Sequence, residues 1–156
     1  MPAGPGAAHA GAILPNAANL LVFPYFFPYF STMQNGTLLA AVDLGSNSFR
    51  LEIGRQDNGH IQRVEYLKET VRLGGGLDED HNLSLDAMQR GWDCLARFAE
   101  RLGGFAHAQV RAVATQTLRE ANNREAFLHR GSEVLGHPID LVSGPEEARL
   151  IYQGVA

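Results

Sequence analysis

Between Leu38 and Leu51 two apolar, strand-like runs flank Gly45-Ser46-Asn47-Ser48, and a single carboxylate, Asp43, stands near the end of the first run. A turn that short folds the two runs into a hairpin and leaves several backbone N–H groups without ladder partners. Gly45 lets the backbone approach an anion closely, and Ser46, Asn47 and Ser48 add side-chain donors. The layout suits a phosphate. Asp43 is a poor packing residue, because an unpaired buried carboxylate is costly, and it is placed to hold hydrated Mg2+ beside that phosphate. The same residues also suit an ordinary hairpin in which Asp and Ser cap the turn, so the rest of the chain has to decide.

Two more strands follow, over residues 48–55 and 60–72, joined by the hairpin signal Asp57-Asn58-Gly59. Ser84 is placed to cap a helix whose apolar residues Leu85, Met88, Trp92, Leu95, Ala99 and Leu102 step by three and four until Gly103-Gly104 ends it. Residues 109–114 read as a short strand, and residues 123–135 as a second amphipathic helix stopped by Gly136 and Pro138. Another strand over 139–142 leads to a final helix opened by Gly144-Pro145. The order β-β-β-α-β-α-β-α predicts an α/β fold, a mixed sheet covered by helices with sites at strand ends.

The chain has 156 residues, 45% of them hydrophobic and 19% charged, enough for one ordinary core. Its net charge of −4 gives no general pull toward nucleic acid, so a polyanion must be held by local donors or metal. Cys94 is the only cysteine, which excludes an intrachain disulfide framework and a Cys-rich zinc site and agrees with a reducing cytoplasm. It reads as a small core residue. None of the six histidines falls at metal-ligand spacing.

Residues 1–36 contain no Lys, Arg, Asp or Glu, and Phe23-Pro24-Tyr25-Phe26 is repeated at once as Phe27-Pro28-Tyr29-Phe30. The prolines break any helix through this run, so a transmembrane span is not expected, and a secretory signal would want a basic start. The stretch reads as a disordered or misannotated extension, with Met33 as an alternative initiator and residues 37–156 as the body. Weak interfacial contact through the aromatic rings is the one membrane association left open.

Two groups of residues sit where chemistry gathers. Glu146 and Glu147 follow Ser143-Gly144-Pro145 in the first turn of a helix, where carboxylates are favoured by the helix dipole. Either they only start that helix, or one projects from the junction into the cleft of Asp43 and orients a water for attack on phosphorus. Thr115 follows a strand and can cap a short helix, while Arg119 is either a surface residue or a fork of donors for phosphate oxygens. Asp78-Glu79-Asp80-His81-Asn82 fails as a calcium loop, since Leu83 and Gln89 stand where Gly and Glu are needed. Leu73-Gly74-Gly75-Gly76-Leu77 lacks the P-loop signature and reads as a flexible turn.

In this order, residues 41–49, Ala114-Thr115-Gln116-Thr117-Leu118-Arg119 and residues 143–150 resemble the exopolyphosphatase and guanosine pentaphosphate phosphohydrolase (Ppx/GppA) family. The similarity runs from about Leu38 to Ala156 and includes the Arg72–Leu77 turn and residues 99–105. It implies an actin-like, ribonuclease-H-like domain in which Asp43 approaches Mg2+ through water. Gly45, Ser46, Asn47 and Ser48 would cradle phosphate, Arg119 would bind phosphate oxygens, and Glu147 would position the nucleophilic water. Glu146 has the weaker claim. The family's second phosphate loop, of the D-x-G-G-G-S type, is expected beyond Ala156, so the domain is read as incomplete at its C-terminus and inactive as a fragment of a homodimeric, cytoplasmic parent, at most peripheral at the inner membrane.

The implied reaction is hydrolysis of the terminal phosphoanhydride of inorganic polyphosphate. The alternative substrate is guanosine pentaphosphate, pppGpp. Polyphosphate is preferred because Phe49-Arg50 and residues 99–102 resemble proteobacterial exopolyphosphatases. From other classes, a non-catalytic phosphate or nucleotide-binding module and a kinase or ATPase of the same fold group remain. The pairing of Asp43 with Glu147 speaks against the first, and the Glu146-Glu147 junction against the second.

Overall fold

The computed structural model describes residues 23–152. The expected disorder or misannotation of residues 1–22 lies outside these. β1 (Leu38–Leu44), β2 (Ser48–Asp57) and β3 (His60–Thr70) form the antiparallel meander, and both residues of its second turn, Asn58 and Gly59, have positive φ (52° and 88°). A type I′ turn demands that. β4 (Val110–Ala114) and β5 (Ile139–Leu141) add in parallel on the other side of β1, giving the order β3-β2-β1-β4-β5. The mixed sheet is the expected one.

The period-2 alternation of β1 divides the molecule. Ala40, Val42 and Leu44 face one way with Phe49, Leu51, Ile53, Ala112 and Ala114, under two long helices, α2 (Leu85–Arg101) and α4 (Arg124–Leu135). The Ser84 side chain caps α2 by accepting from Ala87 N at 3.1 Å. The buried line of α2 runs through Ala87, Met88, Gly91, Cys94, Leu95 and Phe98, whereas Leu85, read as part of the core stripe, is 74% exposed in the first turn. Gly91 admits the Phe127 ring of α4: a Cβ there would stand 2.8 Å from it. Trp92 stacks on the same ring at 5.8 Å. Cys94 is a core residue, and burial pushes its thiol pKa far up.

Leu39, Ala41 and Asp43 face the other way. There the described part of residues 1–36 packs on the sheet. A helical turn, α1 (Phe23–Phe26), lays Phe23, Phe26 and Phe27 on Leu39, Ala41, Val113 and Val142, and buries all three rings. The prolines do confine helix to short turns, and these three rings face the sheet. Tyr29 stays 75% exposed. No helix among the described residues is long and apolar enough to cross a membrane.

Candidate active site

The turn between β1 and β2 is held from three sides. Gly45 N donates to Ser48 O at 3.0 Å, and a Cβ on Gly45 would stand only 2.8 Å from that oxygen, so the turn closes around a residue with no side chain. Val71 N and Arg72 N donate to Asn47 O, and Gly74 N to Ser46 O. Because a trans peptide sets its N–H opposite its C=O, anchoring these two carbonyls turns the amides of Asn47 and Ser48 away from the 71–74 segment. The glycine run read as a flexible turn is a 3-10 turn (Gly74–Gly76) docked on the loop, with space for a Cβ at Gly74 limited by Thr117 and Ser46.

Hydroxyls from the next strand-to-helix junction supply the third side. Thr115 occupies the N-cap of α3 (Gln116–Glu120), but its hydroxyl donates to Leu44 O at 3.1 Å and does not cap the helix. Thr117 donates to the Ser46 hydroxyl at 2.6 Å. Both ties link the end of β1 and its turn to the segment that follows β4.

A cavity of about 390 Å³ opens at this end of the sheet, lined by Asp43, Gly45, Ser46, Asn47, Ser48, Arg50, Lys68, Thr115, Gln116 and Glu147. Six of the expected site residues are therefore brought together. Glu147 comes from α5 (Gly144–Glu147), capped by Ser143, whose hydroxyl accepts from Glu146 N at 3.1 Å. Arg119 stands behind it. Its guanidinium lies 3.0 Å from Glu147 Oε1 and donates to Val142 O at 2.9 Å, and it does not line the cavity. Glu146 pairs with Arg149 at 2.5 Å and approaches Arg111 at 3.9 Å, outside the cavity.

Sequence reasoning did not place Arg50, Lys68, Thr115 or Gln116 in the site. Arg50, directly opposite Asp43 in the β1–β2 register, donates through Nε and Nη2 to Asp43 Oδ2. Burial raises the Asp43 pKa, Arg50 opposes the rise, and the charge of Glu147 adds to it. Replacing Arg50 by Gln is accordingly expected to raise the Asp43 pKa further, a shift readable by carboxyl NMR over an acid titration; an unchanged or lower value would show that the pair does not form. His107 and His137, given no chemistry, meet with their Nδ1 atoms 2.8 Å apart, away from this cavity, and burial lowers the His137 pKa.

Residues 52–156 match the Ppx/GppA phosphatase family. The chain belongs to that family. It is 54% identical over 126 residues to a Vibrio cholerae protein named guanosine-5′-triphosphate,3′-diphosphate pyrophosphatase, covering 81% of this chain and 25% of the relative. The Vibrio vulnificus protein of the same name is 52% identical over the same span. The chain thus spans about a quarter of the length of these relatives. Among solved structures, an exopolyphosphatase from Cytophaga hutchinsonii superposes with a TM-score of 0.70 at 28% identity, covering 76% of this chain and 38% of that one. An Aquifex aeolicus Ppx/GppA protein gives 0.69 at 28%, covering 76% and 39%. A chain of a PilM–PilN type IV pilus biogenesis complex, 13% identical with a TM-score of 0.51 over 92% of this chain and 53% of that one, shares the fold alone. The fold is that of the actin-like ATPases.

Proposed function

We propose that this Ppx/GppA chain supplies one wall of the cleft of a phosphohydrolase that removes the terminal phosphate of guanosine pentaphosphate. One observation carries the reading: Glu147 and the Gly45–Ser48 loop face the same cavity from opposite elements, a carboxylate on one side and phosphate donors on the other. The loop amides and hydroxyls hold the terminal phosphoryl group, and Arg119 fixes the Glu147 carboxylate from behind. Glu147 orients a water and accepts its proton while the water oxygen bonds to the terminal phosphorus. The bridging P–O bond breaks, and its electron pair leaves with the shortened nucleotide. Positioning and charge neutralisation supply most of the acceleration in such a transfer.

Mg2+ fits this donor set in one way. Among the described residues no group of three or more His, Cys, Asp or Glu can cage a metal. Mg2+ commonly keeps several waters and takes one or two carboxylates plus substrate oxygens, which is what Asp43 at the cavity wall offers. When bound, the ion neutralises phosphate charge.

The nucleotide is preferred over polyphosphate because the relatives at 52–54% identity carry the name of a guanosine pentaphosphate enzyme. The preference for polyphosphate drawn from Phe49-Arg50 and residues 99–102 yields to that. Polyphosphate is the second reading, favoured by the Cytophaga exopolyphosphatase structure at 28% identity. Phosphate release by the full-length protein from both substrates, side by side at matched terminal-phosphate concentration, tests the choice. A higher kcat/KM on guanosine pentaphosphate is expected, and a higher value on polyphosphate would reverse the assignment.

A further inference from the structure

The phenylalanine repeat takes no part in the cleft, yet it packs against the segment that carries Glu147. Phe23, Phe26 and Phe27 are buried on the second face of the sheet, and rings of this kind bury about 150–250 Å² each. The sheet is shaped for them. A Cβ on Gly54 of β2 would lie 2.6 Å from Ile61 Cγ2 and 3.3 Å from the Phe23 ring, so the missing side chain makes room for both.

Two separate contacts run from these rings to the Glu147 turn. Leu150, in the π-helical turn (Ala148–Tyr152) directly after α5, is fully buried in the same cluster as Phe23, Phe26 and Phe27. Arg111 of β4 lies with its guanidinium 5.9 Å from the Phe26 ring centre and 3.9 Å from Glu146 Oε2, bridging strap and carboxylate. Such contacts matter at this place. α5 has four residues, and a helix that short has no stability of its own, so tertiary packing sets where Glu147 points.

We infer that residues 23–27 are a positioning strap that holds the Glu147-bearing turn against the sheet, through Leu150 on one side and Arg111 on the other. Its catalytic consequence rests on the reading of Glu147 as the group that orients water.

Amide exchange on the chain, with Phe26→Ala and the conservative Phe26→Leu, tests the inference. Phe26→Ala is expected to speed exchange of the Glu147 amide, which donates to Ser143 O at 2.8 Å, by about tenfold or more while Leu51 in β2 keeps its protection. Phe26→Leu should restore most of it. In the full-length phosphatase Phe26→Ala should then lower kcat at nearly constant KM. Unchanged exchange at Glu147, or an equal rise across β1 and β2, would overturn the strap. Local loosening with unchanged turnover would leave the strap standing and overturn its catalytic consequence, while the Glu147 reading itself falls only if Glu147→Gln keeps its turnover. If Phe26→Ala does not fold, Arg111→Met cuts the second link alone, and the same local loosening is expected; its absence would overturn the inference.

Discussion

On the proposed phosphohydrolase reading, Glu147→Gln in the whole protein is expected to lower kcat by about 10²–10⁴-fold with little change in KM, the usual loss when a positioned proton acceptor is removed. The substitution is nearly isosteric and keeps an oxygen for the Arg119 guanidinium, which stands 3.0 Å from the carboxylate. It removes the capacity to take a proton from water. Glu146→Gln is the matched control. That carboxylate is paired with Arg149 and directed toward Arg111 outside the cavity, so its loss should change turnover no more than a few-fold. Steady-state phosphate release from both variants decides. If Glu147→Gln keeps its turnover, Glu147 is not the group that takes the proton from water; if Glu146→Gln is the dead variant, the two carboxylates exchange roles.

Much of this cleft was legible before any coordinates, because its parts lie in contiguous motifs at strand ends. Asp43 stands at the end of β1, Gly45–Ser48 and Glu147 follow strands that periodicity and turn residues delimit, and parallel strands bring their ends together. Arg50 was legible too, though not read: with a turn over residues 45–48, Leu44 pairs with Phe49 and Asp43 with Arg50. The Arg119–Glu147 contact was not, since it joins residues on two different strand-to-helix connections whose distance no local pattern sets. The strap left a signal of another kind. Residues 38–42 are apolar at every position, the mark of a strand buried on both faces, whereas α2 and α4 cover one face only. Something had to cover Leu39 and Ala41, and the rings of Phe23, Phe26 and Phe27 do so.

Arg63→Met is expected to be among the most destabilising changes in the sheet. Glu52 of β2 and Arg63 of β3 form an ion pair whose side chains are only 8% and 6% exposed, with Arg63 Nε 2.7 Å from Glu52 Oε2. Among the described residues the buried Arg63 Nη1 has no hydrogen-bond partner, so the pair is incompletely satisfied. Burial outweighs Arg63 and raises the Glu52 pKa above 4.5. A carboxyl whose native pKa is raised adds stability below its unfolded value and loses it as pH climbs through the native one, so wild-type stability from this group falls as pH rises from about 4.5. Removing Arg63 pushes that pKa higher and leaves an uncompensated buried carboxylate at neutral pH, at a cost of about 3–5 kcal/mol. The same variant should recover much of the loss at an acidic pH below that raised pKa, where Glu52 takes up its proton. Adding Glu52→Leu should recover it at every pH, because an apolar pair of similar volume needs no partner. Urea unfolding followed by the single tryptophan, Trp92, at both pH values reads all three. A cost below about 1 kcal/mol at pH 7, or one that does not shrink on acidification, would mean that Glu52 reaches water in the native state.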